Sequence, residues 1–182
     1  MLKLVARLTT PAALTNLLGV LTIVANTVIA ARMNDNTKLA AVGLSNVCWA
    51  MLVLSVIIGL NSGLETLASQ AFGYGNLELC GMYFNRGRAI LTLVFTILVL
   101  APALFGEQIL IALGQDAEVS KMAHTQILLG IPGIFCFGHY DLYKRWLSCM
   151  RITFFPFIAM VVATILHVPI AILFVYQFNM DI

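Results

Sequence analysis

The chain has 182 residues, of which 61% are hydrophobic and 10% charged, with a net charge of +2 and a mean hydropathy of +0.98. A soluble domain carries about 25% charged and 45–50% apolar residues, so this composition excludes a water-soluble globular protein. It specifies an integral membrane protein, for which the number of crossings matters more than the length.

The charges delimit five uncharged runs: 8–31, 39–64, 89–106, 122–140 and 152–180. A helix needs about 20 residues, with a range of roughly 17–25, to cross a hydrocarbon core, and each run is long enough with snorkelling of flanking Arg and Lys. The expected fold is therefore all-α, a polytopic membrane helix bundle with spans at about 11–31, 43–68, 87–106, 119–141 and 153–178. The first run is too long for a signal-peptide core and has no small-residue cleavage site after it, so no cleaved leader is expected.

The first span opens at Pro11, a residue tolerated in a first helical turn because its missing N–H would be unpaired there. Thr15, Gly19, Thr22 and Asn26 then recur at helical spacing and form one small, polar face. In a membrane such a face meets another helix or a cavity rather than lipid, and the pattern alone leaves both open. A short loop of mixed charge, 32–38, leads to the second span.

Towards the end of that span Asn61, Glu65 and Ser69 share a face, with Thr66 and Gln70 beside them, before the chain breaks at Gly73 and Gly75. A carboxylate at the bilayer centre costs roughly 2.5–3.5 kcal/mol on insertion scales, so Glu65 either reaches the interface or faces a polar interior. So many polar groups on adjoining faces exclude full lipid exposure.

Residues 73–88 read as a glycine loop followed by a short amphipathic piece, with Arg86 and Arg88 starting the third span. That span, with Pro102 near its end, is uniformly apolar and reads as packing or lipid-facing. Asp116 reads as the N-cap of the fourth helix, supported by Glu118 in its first turn. Pro132 and Gly133 are expected to kink or loosen that helix. His124 and His139 lie near its two ends without a second ligand at i+3 or i+4, so no metal site is expected. The four cysteines form no C-x-x-C, and Cys48 and Cys136 read as small apolar packers within spans. Residues 141–151 read as a basic, aromatic loop before the fifth span, in which His167 and Pro169 fall near the middle. An intramembrane histidine is a functional-site hypothesis by default.

Lysines and arginines favour the cytoplasmic side of a membrane protein. With the N-terminus inside, the inner segments hold seven (Lys3, Arg7, Arg86, Arg88, Lys144, Arg145, Arg151) and the outer segments three (Arg32, Lys38, Lys121). The N-terminus is therefore expected in the cytoplasm, and Glu65 at the cytoplasmic end of its span. No Ser/His/Asp grouping, phosphate loop or pair of intramembrane acids is present, so neither an enzyme nor a catalytic residue is expected.

Four stretches together carry a family likeness: TKLAAVGLSN (37–46), GLNSGLETLASQAFGYGN (59–76), LGQDAEVSKMA (113–123) and ILHVPIAILFVYQF (165–178). In this order they resemble the multidrug and toxic compound extrusion (MATE) transporters, more the eukaryotic than the bacterial branch. The second-helix signature, with Glu65, Thr66 and Gln70 matching, is the specific part.

The resemblance implies a two-lobe antiporter that exchanges a proton or Na⁺ gradient for organic cations or other amphiphilic small molecules, with no further cofactor. It implies that this chain supplies about five helices of a six-helix N-terminal lobe, lacks a C-terminal lobe and is inactive alone. Asn26 stands where many bacterial members carry a titratable Asp, and His167 and Ala171 where some carry asparagines. The implied transport-cavity candidates are Thr15, Thr22, Asn26 and His167. Asn61, Glu65, Thr66 and Gln70 form a structural or gating group. The expected partners are the lipid bilayer, a small organic substrate and the missing lobe, with no nucleic acid. The membrane is open between plasma membrane and vacuole or another organelle. A lipid-type flippase of related design and a truncated, non-transporting membrane protein are the alternatives.

Overall fold

The computed structural model describes residues 2–31 and 36–176. Parts of the 32–38 loop, and the end of the 153–178 span, lie outside the described residues. All regular elements among them are helical: α1 (Leu2–Ala31), α2 (Asn36–Cys48), a π-helical segment (Trp49–Leu54), α3 (Ser55–Gly73), α4 (Leu77–Ala112), α5 (Ala117–Cys149) and α6 (Phe154–Tyr176). The chain is all-α and polytopic. Four described stretches are long and apolar enough to cross a membrane: Leu8–Ile29, Asn36–Gly73, Leu77–Ala112 and Phe154–Ala171. Helix α5 has 33 residues, ample for a crossing, but is more polar because it also carries the charged 141–145 region.

Several helices run past the bounds set by charge. Helix α1 begins at Leu2, so Pro11 sits inside it rather than in its first turn. The amphipathic piece expected as separate from the third span is the start of α4, which runs unbroken from Leu77 to Ala112. Residues 141–149, read as loop, are the last turns of α5, which also passes through Pro132 without a break. The physical reason is common to all. Charge marks where a helix leaves hydrocarbon, whereas a helix stops where its backbone is capped or broken. The caps themselves are where the residues place them. Asn76 Oδ1 accepts from Leu79 N–H at 2.9 Å and starts α4. Asp116 Oδ1 accepts from Glu118 and Val119 N–H at 2.8 and 3.3 Å and starts α5. Gly75 (φ +75°) and Gly114 (φ +84°) take the left-handed conformation in the two turns, where a side chain would be strained.

The residues divide into two compact units, 1–39 with 151–182, and 40–150. In the first unit α1 packs on α6. The polar stripe on α1 is the contact face. Thr15 is buried. A Cβ added at Gly19 would lie 3.4 Å from the Met160 methyl, and the Thr22 and Thr164 hydroxyls are 3.5 Å apart.

In the second unit α3, α4 and α5 pack against one another. Helix α4, whose apolar span reads from sequence as packing or lipid-facing, supplies the long core stripe. Phe84, Leu91, Phe95 and Val99 recur at seven- and four-residue steps and are all buried. They meet Val53 and Ile57 from the π segment and α3, and Ile127 and Leu142 from α5. Phe84 stacks on Trp146 at 4.5 Å and meets Tyr143 edge-on at 4.8 Å. Glycines let backbones approach closely at two crossings. A Cβ at Gly106 of α4 would lie 2.7 Å from the His124 ring, and one at Gly130 of α5 would lie 2.9 Å from Trp49 Nε1. Trp49 is the first residue of the π segment, in which Ser55 N–H bonds back five residues to Ala50 C=O. This wider turn changes the facing of the helix between α2 and α3 without breaking it. Cys48 joins the core margin as expected of a packer, whereas Cys136 is exposed on α5.

Candidate functional site

Two ladders of polar residues, one on α3 and one on α5, face each other across the second unit. On α3 the members are Asn61, Ser62 and Glu65, and on α5 they are Asp141, Lys144, Arg145 and Cys149. Asn61 and Glu65 are four residues apart, as are Asp141, Arg145 and Cys149, so each set projects from one side of its helix.

Asp141 is the centre of the network and is 4% exposed. Its Oδ2 accepts from Asn61 Nδ2 at 3.0 Å and from Arg145 Nε at 2.8 Å. Its Oδ1 takes an ion pair with Lys144 Nζ at 3.1 Å. Arg145 then reaches across to α3, where Nη1 donates to Glu65 Oε2 at 2.8 Å and to Ser62 Oγ at 3.2 Å. Asn61 Nδ2 also donates to the Gly138 carbonyl at 3.3 Å, leaving its buried Oδ1 without a partner among the described residues. The Cys149 thiol donates to the Glu65 backbone carbonyl at 3.4 Å and closes the outer end. A buried carboxylate with two cations and an amide donor is compensated in the way that buried charge requires.

Burial alone would lower the Arg145 pKa. The hydrogen bond and charge of Asp141, followed by those of Glu65, outweigh it and hold the guanidinium above its ordinary value. Burial pushes the Cys149 thiol up, and the Glu65 charge adds in the same direction. Arg145 is thus a permanent cation that bridges two acids on different helices. Chemically the site is a clamp that holds the ends of α3 and α5 together. Among the described residues no group of three His, Cys, Asp or Glu could hold a metal.

The sequence-derived candidates separate into two groups, one in each unit. Asn61 and Glu65 belong to the clamp. Thr66 and Gln70 are exposed, with the Thr66 hydroxyl bonded to the Ser62 carbonyl at 3.1 Å. In the other unit the His167 Nε2–H donates to Asn26 Oδ1 at 2.7 Å, pairing α6 with α1. Thr22 meets Thr164 one turn away, and the Thr15 hydroxyl is bonded to the Pro11 carbonyl of its own helix at 2.7 Å. Asp141 and Arg145 were missed as site residues. The available signal was their four-residue spacing, shared with Cys149, and a charge pattern complementary to Asn61 and Glu65.

The MatE family model matches residues 11–173, which takes in both the α1–α6 pair and the clamp. The chain belongs to the MatE family. It is 33% identical over 132 residues to Protein DETOXIFICATION 29 of Arabidopsis thaliana, covering 72% of this chain and 26% of that relative. Protein DETOXIFICATION 3 of the same plant is 29% identical over 180 residues, which is 98% of this chain and 37% of the relative. Protein DETOXIFICATION 38 is 32% identical over 152 residues, 83% of this chain and 29% of the relative. The chain therefore spans well under half the length of these curated relatives. As a MatE member it is a multi-pass integral membrane protein of a transporter family, and its two polar groups are read in that setting.

Proposed function

We propose that this chain is part of an ion-coupled antiporter that exports organic cations or other amphiphilic small molecules against a proton or Na⁺ gradient. The observation that carries the reading is the family match over 11–173, with Glu65, Thr66 and Gln70 of the helix-two signature in place. In this reading the Asn26–His167 pair, with Thr15 and Thr22, belongs to the wall of a substrate cavity. The Arg145 clamp braces α3 and α5 so that the second unit moves as one body during alternating access. The N-terminus is cytoplasmic, by the seven-to-three excess of Lys and Arg on that side.

Asn26 is an amide and cannot take up a proton, so the coupling carboxylate lies elsewhere in the whole transporter. Coupling needs an ion affinity that differs between two states of the whole protein. The chain by itself is therefore inactive, and its activity requires the C-terminal lobe that the longer relatives have room for.

Proteoliposomes test this directly. The chain alone should give no gradient-driven uptake of a fluorescent organic cation. Co-reconstitution with the C-terminal lobe of a DETOXIFICATION relative should restore it, and should do so only with an imposed proton or Na⁺ gradient. Counterflow by the chain alone overturns the requirement for a second lobe. Uptake indifferent to both gradients overturns ion coupling.

A further inference from the structure

A cleft of about 370 Å³ lies along the α3–α4 seam, lined by Leu60, Leu64, Leu67 and Ile90 together with Tyr83 and Arg86. The two helices run antiparallel here. The Cys80 thiol meets the Ala68 carbonyl at 3.5 Å, and Gly87 lies against the Leu64 side chain. Tyr83 and Arg86 are consequently at the end nearer the Tyr74–Asn76 turn, and Leu60 and Ile90 at the end deeper in the apolar spans. Polar groups thus sit at one end of an otherwise greasy slot between two helices apolar enough to cross a membrane.

The polar end is uncommitted. Arg86 is exposed, and neither its guanidinium nor the Tyr83 hydroxyl has an ion pair or hydrogen bond among the described residues. Arg88, two residues on, is engaged instead with the faces of Phe84 and Tyr143. Asn61 also reaches the cleft wall, but its amide N–H is committed to Asp141. A free cation and a phenol above an apolar slot match an anion carried on an acyl chain.

We propose that this cleft is a binding site for an anionic phospholipid of the bilayer. The phosphate is held by Arg86 and Tyr83, and an acyl chain runs down the slot past Leu67 and Leu64 towards Leu60 and Ile90. The site shares one wall residue, Asn61, with the clamp but uses neither the clamp's charges nor the Asn26–His167 pair, and it requires only that the chain spans a membrane. It therefore stands or falls independently of the antiporter reading. Gly63 offers a steric test. It lines the cleft, and a Cβ added there meets nothing within 4 Å, so a side chain introduced at this position starts from open space on the cleft wall.

The experiment is native mass spectrometry of the purified chain, released from detergent after equilibration with equal amounts of phosphatidylglycerol and phosphatidylcholine. The wild type should retain one phosphatidylglycerol at least about fivefold in excess over phosphatidylcholine, since loss of one charge-assisted contact changes affinity by about that much or more. Arg86→Gln, which removes no ion pair or hydrogen bond among the described residues, should abolish the preference. Gly63→Leu should abolish retention of either lipid, and Lys121→Gln, at an exposed cation elsewhere, should change nothing. Equal retention of the two lipids by the wild type overturns the proposal. So does loss in Lys121→Gln to the same degree as in Arg86→Gln. Retention undiminished in Gly63→Leu, with loss in Arg86→Gln, shows surface charge attraction without an occupied cleft and overturns it as well.

Discussion

At the scale of single residues the charges of this protein are unequal in consequence. Asp141 is buried and serves three donors, whereas the Glu65 side chain is 43% exposed and serves one. Removing one partner of a buried ion pair costs about 3–5 kcal/mol, because the others are left uncompensated. A pair with one solvent-accessible member contributes about 0–1 kcal/mol. Asp141→Ala should therefore lower the thermal midpoint of the detergent-solubilised chain sharply, and Glu65→Gln only slightly. Equal losses would place the stabilisation in the Arg145–Glu65 link instead. The raised pKa of Cys149 has its own signature. Its thiolate is scarcer in the folded chain than in the unfolded one, so alkylation should be slower at neutral pH. In a variant retaining only this cysteine, the midpoint of the alkylation rate against pH should lie higher in mild detergent than in denaturing detergent. The linked stability is complete below the ordinary thiol range and is lost as pH rises through the folded-state value. Asn61 and Glu65 were visible in sequence as one face of a helix, because four-residue spacing is local. Their partners lie 80 residues away, on a stretch whose charges ended an apolar run and so read as loop.

At the scale of elements the glycines separate close crossings from open surface. A Cβ at Gly106 would lie 2.7 Å from the His124 ring, while one at Gly43 would meet nothing within 4 Å. Exchanging Gly for Ala inside a helix gains up to about 1 kcal/mol of intrinsic propensity. Overpacking a tight contact costs about 1–3 kcal/mol. Gly43→Ala should thus raise the thermal midpoint or leave it unchanged, and Gly106→Ala should lower it by loosening the α4–α5 crossing. The same logic explains the α1 stripe. Its sequence allowed both packing and cavity lining and favoured packing, and Gly19, Thr15 and Thr22 face or support the contact with α6, with Asn26 and His167 adding a polar pair. The π segment is the element with no sequence signal at all. Its residues, WAMLVL, are an ordinary apolar run, and the wider turn shows only in the backbone hydrogen bonds that place Trp49 against Gly130.

At the scale of the whole molecule the testable quantity is the number and direction of crossings. With the N-terminus in the cytoplasm and five crossings, the α3–α4 turn faces the cytoplasm and the α4–α5 turn faces the opposite side. In a chain freed of its four native cysteines, Gln115→Cys should react with a membrane-impermeant maleimide from outside intact cells, and Tyr74→Cys should react only after permeabilisation. The reverse pattern would invert the orientation. Reaction of both positions from one side would remove the crossing through α4.

Composition and the spacing of charges determined that this is an all-helical membrane protein, and four short stretches, 59–76 the most specific of them, pointed to its family, because hydropathy and short motifs are written within contiguous residues. The cap at Asp116 was equally local and equally legible, whereas the one at Asn76 emerged only with the structure. Which polar residues meet was decided only by tertiary structure. The energy of Asp141 in its surroundings depends on Asn61 of another helix, and the spare charge of Arg86 is defined by the partners it lacks in space. Neither property belongs to a stretch of chain, since burial and pairing are relations between helices that sequence order keeps far apart.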